Sequence, residues 1–521
     1  ALDGWEGGSC GERSRDLSRE AGQQQAKITF APREAAGEVV FRFCMQRRTL
    51  AKIALGGLAG LPGCEKRRVS AVELTQHYLD RIKILDPVLH AVIELNPDAL
   101  DIARKLDAEP KPRGPLHGQP ILIKDNIETG DRMLTTAGSL ALLDSRPRGD
   151  APLVQKLRAA GAVILGKTNL SEWANMRSPN STSGWSARGG LTANPHVIDH
   201  NPSGSSSGSA AAVAASLCFA AIGTETDGSI VSPSSACGIV GLKPTLGLIS
   251  GKGIIPITHW QDTAGPMARS VMDCALLLAA IAEKPVEWKP TERLEGLRLG
   301  FLRHLNGKND VVQKLTETSL DVLRSLGAEI IEVELPHTRE ISKLRFRAML
   351  GEYREDLNAY LASTTSKVRS ITDLIAFNKA NADKELPYFG QEFLEMAAAL
   401  DSEEAIAETK AARETARRLS SQEGIDAVLK EHRLDAFVVS TSDPAEVTDL
   451  QNGHRGGRGC STVPATAGYP HLSVPMGLVG RLPVNLSFFS TAWTEPLLLR
   501  IGHAFEQKAR VKVSPGFLPH E

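Results

Sequence analysis

Pro120-Ile121-Leu122-Ile123-Lys124-Asp125-Asn126 decides the fold: four apolar residues run straight into a lysine. A short apolar run of this kind reads as a strand buried on both faces, and a sheet covered by helices on both sides provides that environment. The lysine at its end is either an internal cation paired with Asp125 or an amine whose burial lowers its pKa until it can serve as a base. Working outward, helix and strand alternate in both directions. Val69-Ser70-Ala71-Val72-Glu73-Leu74 opens an amphipathic helix, with Ser70 as N-cap and Glu73 three residues on. Residues 91–95 read as a strand, 98–108 as a helix, 151–160 as a helix and 162–165 as a strand. Residues 209–217 form a small-residue helix that leads into Phe219-Ala220-Ala221-Ile222. Further strands are expected at 297–302, 329–334, 436–440, 472–475 and 486–489, and residues 341–431 are mostly helical. The expected class is α/β, a large mixed β-sheet covered on both faces by α-helices.

Composition narrows the function. The chain has 521 residues, with 61 acidic against 60 basic, so no basic excess asks for nucleic acid. Its seven cysteines are scattered, odd in number and free of CxxC pairs, which argues against a zinc site and a disulfide framework. Cys218, Cys237 and Cys274 sit among Ala, Val and Leu and read as small buried hydrophobes. Residues 1–44 are polar, Gly- and Arg-rich and lack Met, and read as an upstream extension, non-native or disordered. Residues 45–64 start at Met45, carry Arg47-Arg48 and a short apolar stretch, and end on Gly63-Cys64. That segment is either an export signal with a lipoprotein-type cysteine, which would place a lipid anchor at Cys64 outside the cytoplasm, or a frayed helix on a cytoplasmic chain. Residues 65–521 are expected to form one catalytic domain. Nothing in the sequence is long and apolar enough for a transmembrane helix, and the oligomeric state is not readable.

Three motifs compete for the chemistry. Gly161-Ala162-Val163-Ile164-Leu165-Gly166-Lys167-Thr168 fits the phosphate-loop pattern GxxxxGK[ST], but its four middle residues favour a buried strand over a Gly-rich cradle. Gly204-Ser205-Ser206-Ser207-Gly208 fits GxSxG with Ser206 as nucleophile. That elbow needs a strand running into the serine, whereas two Asn-Pro pairs, Asn194-Pro195 and Asn201-Pro202, make turns there. The third reading joins Lys124 to two serine loops, Ser203-Gly204-Ser205-Ser206-Ser207-Gly208-Ser209 and Gly223-Thr224-Glu225-Thr226-Asp227-Gly228-Ser229. A serine hydroxyl needs a neighbouring base, and a buried neutral lysine is one. The tight turn before Ser229 can aim successive backbone N–H groups at an oxyanion.

These segments, in this order and spacing, resemble the amidase signature hydrolases, and the resemblance runs from about Val69 to the C-terminus. Gly166–Trp173, Ser183–Ser186, Gly241–Thr245 and Asp262–Arg269 match further motifs. The resemblance implies the amidase signature fold, with a variable, partly helical cap over residues 341–431. It implies Ser229 as nucleophile, Ser205 as a bridging serine on a cis peptide, and Lys124 as the base. It places the oxyanion on the backbone N–H groups of Thr226, Asp227 and Gly228, and substrate contacts at Asn175, Met176 and Ser183. No metal or organic cofactor is implied. Thr224–Val231 together with Gln261–Pro266 is similar to the peptide amidase branch, which releases ammonia from C-terminal peptide amides. Two alternatives stay open: hydrolysis of small aryl or alkyl amides, and the glutaminase subunit of a tRNA-dependent amidotransferase. That subunit usually has Asp-Thr-Gly-Gly-Ser-Ile-Arg, and here Asp227 stands in place of the first glycine and Val231 in place of the arginine.

Overall fold

The strands of the computed structural model run, in chain order, β1 (Val92–Leu95), β2 (Pro120–Lys124), β3 (Val163–Thr168), β4 (Trp185–Ser186), β5 (Gly190–Leu191), β6 (Ala220–Glu225), β7 (Val240–Lys243), β8 (Thr263–Ala268), β9 (Arg298–Phe301), β10 (Glu329–Glu332), β11 (Ala436–Ser440), β12 (His471–Val479) and β13 (Leu482–Phe489). The structure describes residues 69–453, 459–511 and 513–517. The expected upstream extension (1–44) and export-type signal with Cys64 (45–64) lie outside the described residues. Apart from the short β4–β5 ribbon, the strands form one eleven-stranded sheet in the order β1-β3-β2-β6-β8-β7-β12-β13-β11-β9-β10. It is mixed: β2 runs parallel to β3 and β6, β9 runs parallel to β10 and β11, and the remaining neighbours are antiparallel.

Strand periodicity explains where the chemistry lies. Side chains alternate across a sheet, so Ile121 and Ile123 join Ile164, Ala220 and Ile222 in one core cluster. Helices Pro152–Ala159, Val271–Ile281, Asp310–Ser325 and Glu495–Ala509 cover that face. Leu122 and Lys124 turn to the opposite face, where helix Ser207–Ala214 packs on β2 and helix Val231–Cys237 packs on β7, β12 and β13. The loops that open those two helices are the two serine loops, so the fold brings both serines to the face that Lys124 occupies. At the sheet's start, Ser70 caps helix Ala71–Leu89 as expected: its Oγ accepts from the Glu73 N–H at 3.1 Å, and the Glu73 carboxylate accepts from the Ser70 N–H at 3.0 Å.

The 341–431 region is helical, as expected. Helices Thr338–Ser363, Ile371–Ala380 and Glu392–Ala398 enclose a separate apolar cluster with Trp173, Met176, Ile255 and Ile257 from the sheet domain. A buried ionic clamp ties this cap down: Arg177 pairs with Glu172, stands 3.7 Å from Glu385 Oε2, and donates to the Glu385 carbonyl at 2.6 Å. Desolvation pushes the Glu172 carboxyl up to about 8. Besides the short β4–β5 ribbon, two strands of the main sheet are not among the expected strands. Val240–Lys243 and Thr263–Ala268, read in the sequence only as motif segments, are β7 and β8 in the middle of the sheet. Among the described residues no helix is long and apolar enough to cross a membrane.

Candidate active site

Lys124 leaves the carboxyl end of β2 fully buried. Its Nζ lies 2.8 Å from Ser205 Oγ, 2.9 Å from Thr224 Oγ1 and 3.2 Å from the Thr224 carbonyl oxygen. No carboxylate touches it among the described residues. Burial lowers its pKa to about 7, an effect that the more distant charges of Asp262 and Glu225 partly offset. Asn126 Nδ2 donates to the same Thr224 hydroxyl at 3.0 Å.

Ser205 follows a cis peptide bond after Gly204. Only glycine fits at 204, since a Cβ there would run into Ser171 Oγ and come within 2.7 Å of Ser207 Oγ. The Ser171 N–H fixes the loop by donating to the Ser205 carbonyl at 3.1 Å. Ser206 stitches this loop to the second one: its N–H donates to the Ser229 carbonyl at 3.1 Å, and its Oγ donates to the Thr224 carbonyl at 3.0 Å. The Ser206 hydroxyl is therefore buried and committed, which removes the GxSxG reading.

Ser229 sits at the mouth of the second loop, 8% exposed against 1% for Ser205. Its hydroxyl makes no hydrogen bond among the described residues. Gly228 before it has φ +80°, a left-handed conformation that a side chain resists, and a Cβ there would meet Ser232 Oγ at 2.9 Å. The buried Glu225 carboxylate shapes the loop from inside, accepting from the Ile230 and Val231 N–H groups at 2.7 and 3.0 Å, with the Gly228 N–H also turned towards it. The Asp227 and Ser229 N–H groups make no hydrogen bond among the described residues. Thr226 Oγ1 donates to Asp262 Oδ1 at 2.5 Å, and burial pushes the Asp262 carboxyl up to about 7. Asp227 accepts from Ser461 Oγ at 2.6 Å and Thr462 Oγ1 at 2.9 Å, and stands 3.2 Å from Arg345 Nη2.

The expected substrate contacts lie at two places around the site. Met176 packs in the apolar cluster under the cap, and Asn175 beside it, at φ +75°, buries an Oδ1 that has no hydrogen-bond partner. Ser183 lies beside the bridging-serine loop, its Cβ 3.4 Å from the position that a Cβ would take at Gly204. The phosphate-loop match fails on geometry: residues 163–168 are a buried strand, and Lys167 Nζ is held by the Ile127 carbonyl and by Thr135 Oγ1 at 2.8 Å. Cys218, Cys237 and Cys274 are buried free thiols, as expected, and so is Cys460. Sequence reading did not single out Thr224, Asp262 or Arg345. The register of β2 against β6, with Ile123 opposite Ile222, brings Lys124 and Thr224 to the same end of the two strands, and sequence alone does not set that register.

A family profile described as Amidase matches residues 73–499. The X-ray structure of native peptide amidase from Stenotrophomonas maltophilia is 46% identical with a TM-score of 0.82, covering 90% of this chain and 97% of that one. A probable amidase of Arabidopsis thaliana is 40% identical, covering 87% of this chain and 90% of its own length. A glutamyl-tRNA(Gln) amidotransferase subunit of Synechococcus is 34% identical, covering 87% of this chain and 97% of its own length. This chain belongs to the Amidase family. It is an amide-hydrolysing enzyme with the amidase signature fold.

Proposed function

We propose that this enzyme deamidates C-terminal peptide amides, releasing ammonia, through Ser229, Ser205 and Lys124. The observation that carries the mechanism is the buried Lys124 amine, 2.8 Å from Ser205 Oγ and without a countercharge in contact among the described residues. A neutral lysine there donates its two N–H bonds to Thr224 and turns its lone pair to the Ser205 hydroxyl. Ser229 Oγ attacks the amide carbonyl while its proton passes to Ser205 and the Ser205 proton to Lys124. The oxyanion is stabilised by the backbone N–H groups of Thr226, Asp227 and Ser229, which make no other hydrogen bond among the described residues, whereas that of Gly228 turns towards Glu225. When the C–N bond breaks, the relay returns the proton to the departing nitrogen, which leaves as ammonia. Water then attacks the acyl-enzyme along the reverse proton path, freeing a carboxylic acid and restoring Ser229.

Peptide amides are favoured over the alternatives by the 46% identity to the Stenotrophomonas peptide amidase over nine-tenths of the chain. The test is ammonia release by the purified enzyme from a panel of C-terminally amidated peptides, with Ser229→Ala as control. Release that disappears in the control supports the reading. Release only from small aryl or alkyl amides, or only from glutamine in the presence of partner subunits, replaces it.

A further inference from the structure

Helix Thr338–Ser363 presents Arg345, Met349 and Tyr353 at four-residue intervals, a spacing that places all three on roughly one side. Met349 and Tyr353 pack in the apolar cluster with Trp173, Met176 and Ile257. Arg345 reaches the catalytic loop, where its Nη2 stands 3.2 Å from Asp227 Oδ2, two residues before Ser229. The Ser461 and Thr462 hydroxyls hold the same carboxylate at 2.6 and 2.9 Å. Arg345 is therefore fixed in place and its charge is balanced.

Its donors are not used up. Among the described residues, Nε is buried with no hydrogen-bond partner, and Nη1 faces only the weak acceptor Met349 Sδ at 3.5 Å. Three more buried groups adjoining the same cluster are also without partners: Trp173 Nε1, Asn175 Oδ1 and the Tyr353 hydroxyl. Buried polar atoms in folded proteins are nearly always paired. Of these, Arg345 Nε belongs to the one side chain that also contacts the catalytic loop, and a carbonyl oxygen arriving there would pair it. A latch between cap and core would need the Asp227 contact alone and would leave Nε without purpose.

We propose that Arg345 is a specificity-determining residue whose Nε–H donates to the peptide carbonyl immediately before the amidated residue, so that the enzyme selects N-acylated amino-acid amides over simple ones. This rests on the peptide-amide reading above. That carbonyl lies one residue, about 4 Å of chain, from the scissile one, within reach of a side chain anchored on Asp227. An aliphatic or aryl amide has no such carbonyl and would leave the donor buried and unpaired, and sites built around a hydrogen bond discriminate strongly against a ligand that cannot make it.

The experiment compares kcat/KM for N-acetylphenylalanine amide and 3-phenylpropionamide, which lacks the acylamino group, in the wild type, Arg345→Lys and Arg345→Met. Lysine keeps a cation for Asp227 but loses the planar Nε–H donor; melting temperatures establish that each variant is folded. The wild type is expected to favour the acylated substrate by about tenfold or more, a single hydrogen bond's worth. Both variants should lose most of that preference, chiefly through KM. Equal losses on both substrates would overturn the assignment and reduce Arg345 to a latch on Asp227. A wild type that hydrolyses 3-phenylpropionamide as readily as the acylated amide would overturn the peptide-amide reading and this assignment together.

Discussion

Lys124 Nζ and Ser205 Oγ stand 2.8 Å apart in a site where the lysine has no acidic partner in contact among the described residues. A buried ammonium without a countercharge is costly, and the group responds by lowering its pKa and shedding its proton. The same burial that makes Lys124 a liability to the fold makes it a base near neutral pH.

Replacing Lys124 with Met should therefore separate stability from turnover. Loss of the base should cut kcat/KM by about 10²–10⁴. The folded-state pKa of about 7 lies below the usual 10.5. Protonation thus favours the unfolded chain, by an amount that grows as pH falls from the upper value towards the lower one and is constant below it. Thermal unfolding should show Lys124→Met at least as stable as the wild type, with its advantage larger at about pH 6.5 than at about pH 9.

The pH–rate profile follows from the same group. kcat/KM should rise with pH through about 7 as Lys124 loses its proton. Glu225 raises that pKa through its charge. Its Oε2 accepts both backbone bonds while Oε1 has no partner, so Gln at this position can keep the two bonds with its carbonyl oxygen. Glu225→Gln should move the acid limb to lower pH, and an unchanged or raised limb would show that another group sets it.

Arg177 is fully buried between Glu172 and Glu385. Arg177→Met leaves two carboxylates buried without their shared cation, which should cost about 3–5 kcal/mol in chemical denaturation. Because this clamp joins the cap to the segment carrying Asn175 and Met176, KM should rise in whatever folded protein remains.

The phosphate-loop pattern makes its own prediction. With Lys167 enclosed in β3 and its amine held by Ile127 and Thr135, millimolar ATP with magnesium should leave the melting temperature unchanged. A site occupied at a hundred times its Kd would add about 2.7 kcal/mol, a shift that calorimetry would detect.

How much of this was legible in the chain depends on whether local pattern or distant register decides. β2 was legible, because Pro120–Ile123 is apolar throughout and ends abruptly on Lys124, and so was the Ser70–Glu73 cap, because its two partners are three residues apart. β7 and β8 were not: Val240-Gly241-Leu242-Lys243 and Thr263-Ala264-Gly265-Pro266 carry Gly and Pro, which weaken a strand signal. They nevertheless pair in the centre of the sheet, where a Cβ at Gly265 would collide with the Leu242 carbonyl. The surroundings of Ser229 were the least legible part. Arg345, Ser461 and Thr462 come to Asp227 from more than a hundred residues away, and nothing in their local sequence marks them.

The most direct test of the account is intact-mass and peptide-level mass spectrometry of the enzyme quenched during turnover of an amidated peptide. The account predicts a covalent acyl adduct on the peptide containing Ser229, absent from Ser229→Ala. An adduct on Ser205 or Ser206, or undiminished ammonia release by Ser229→Ala, would contradict it.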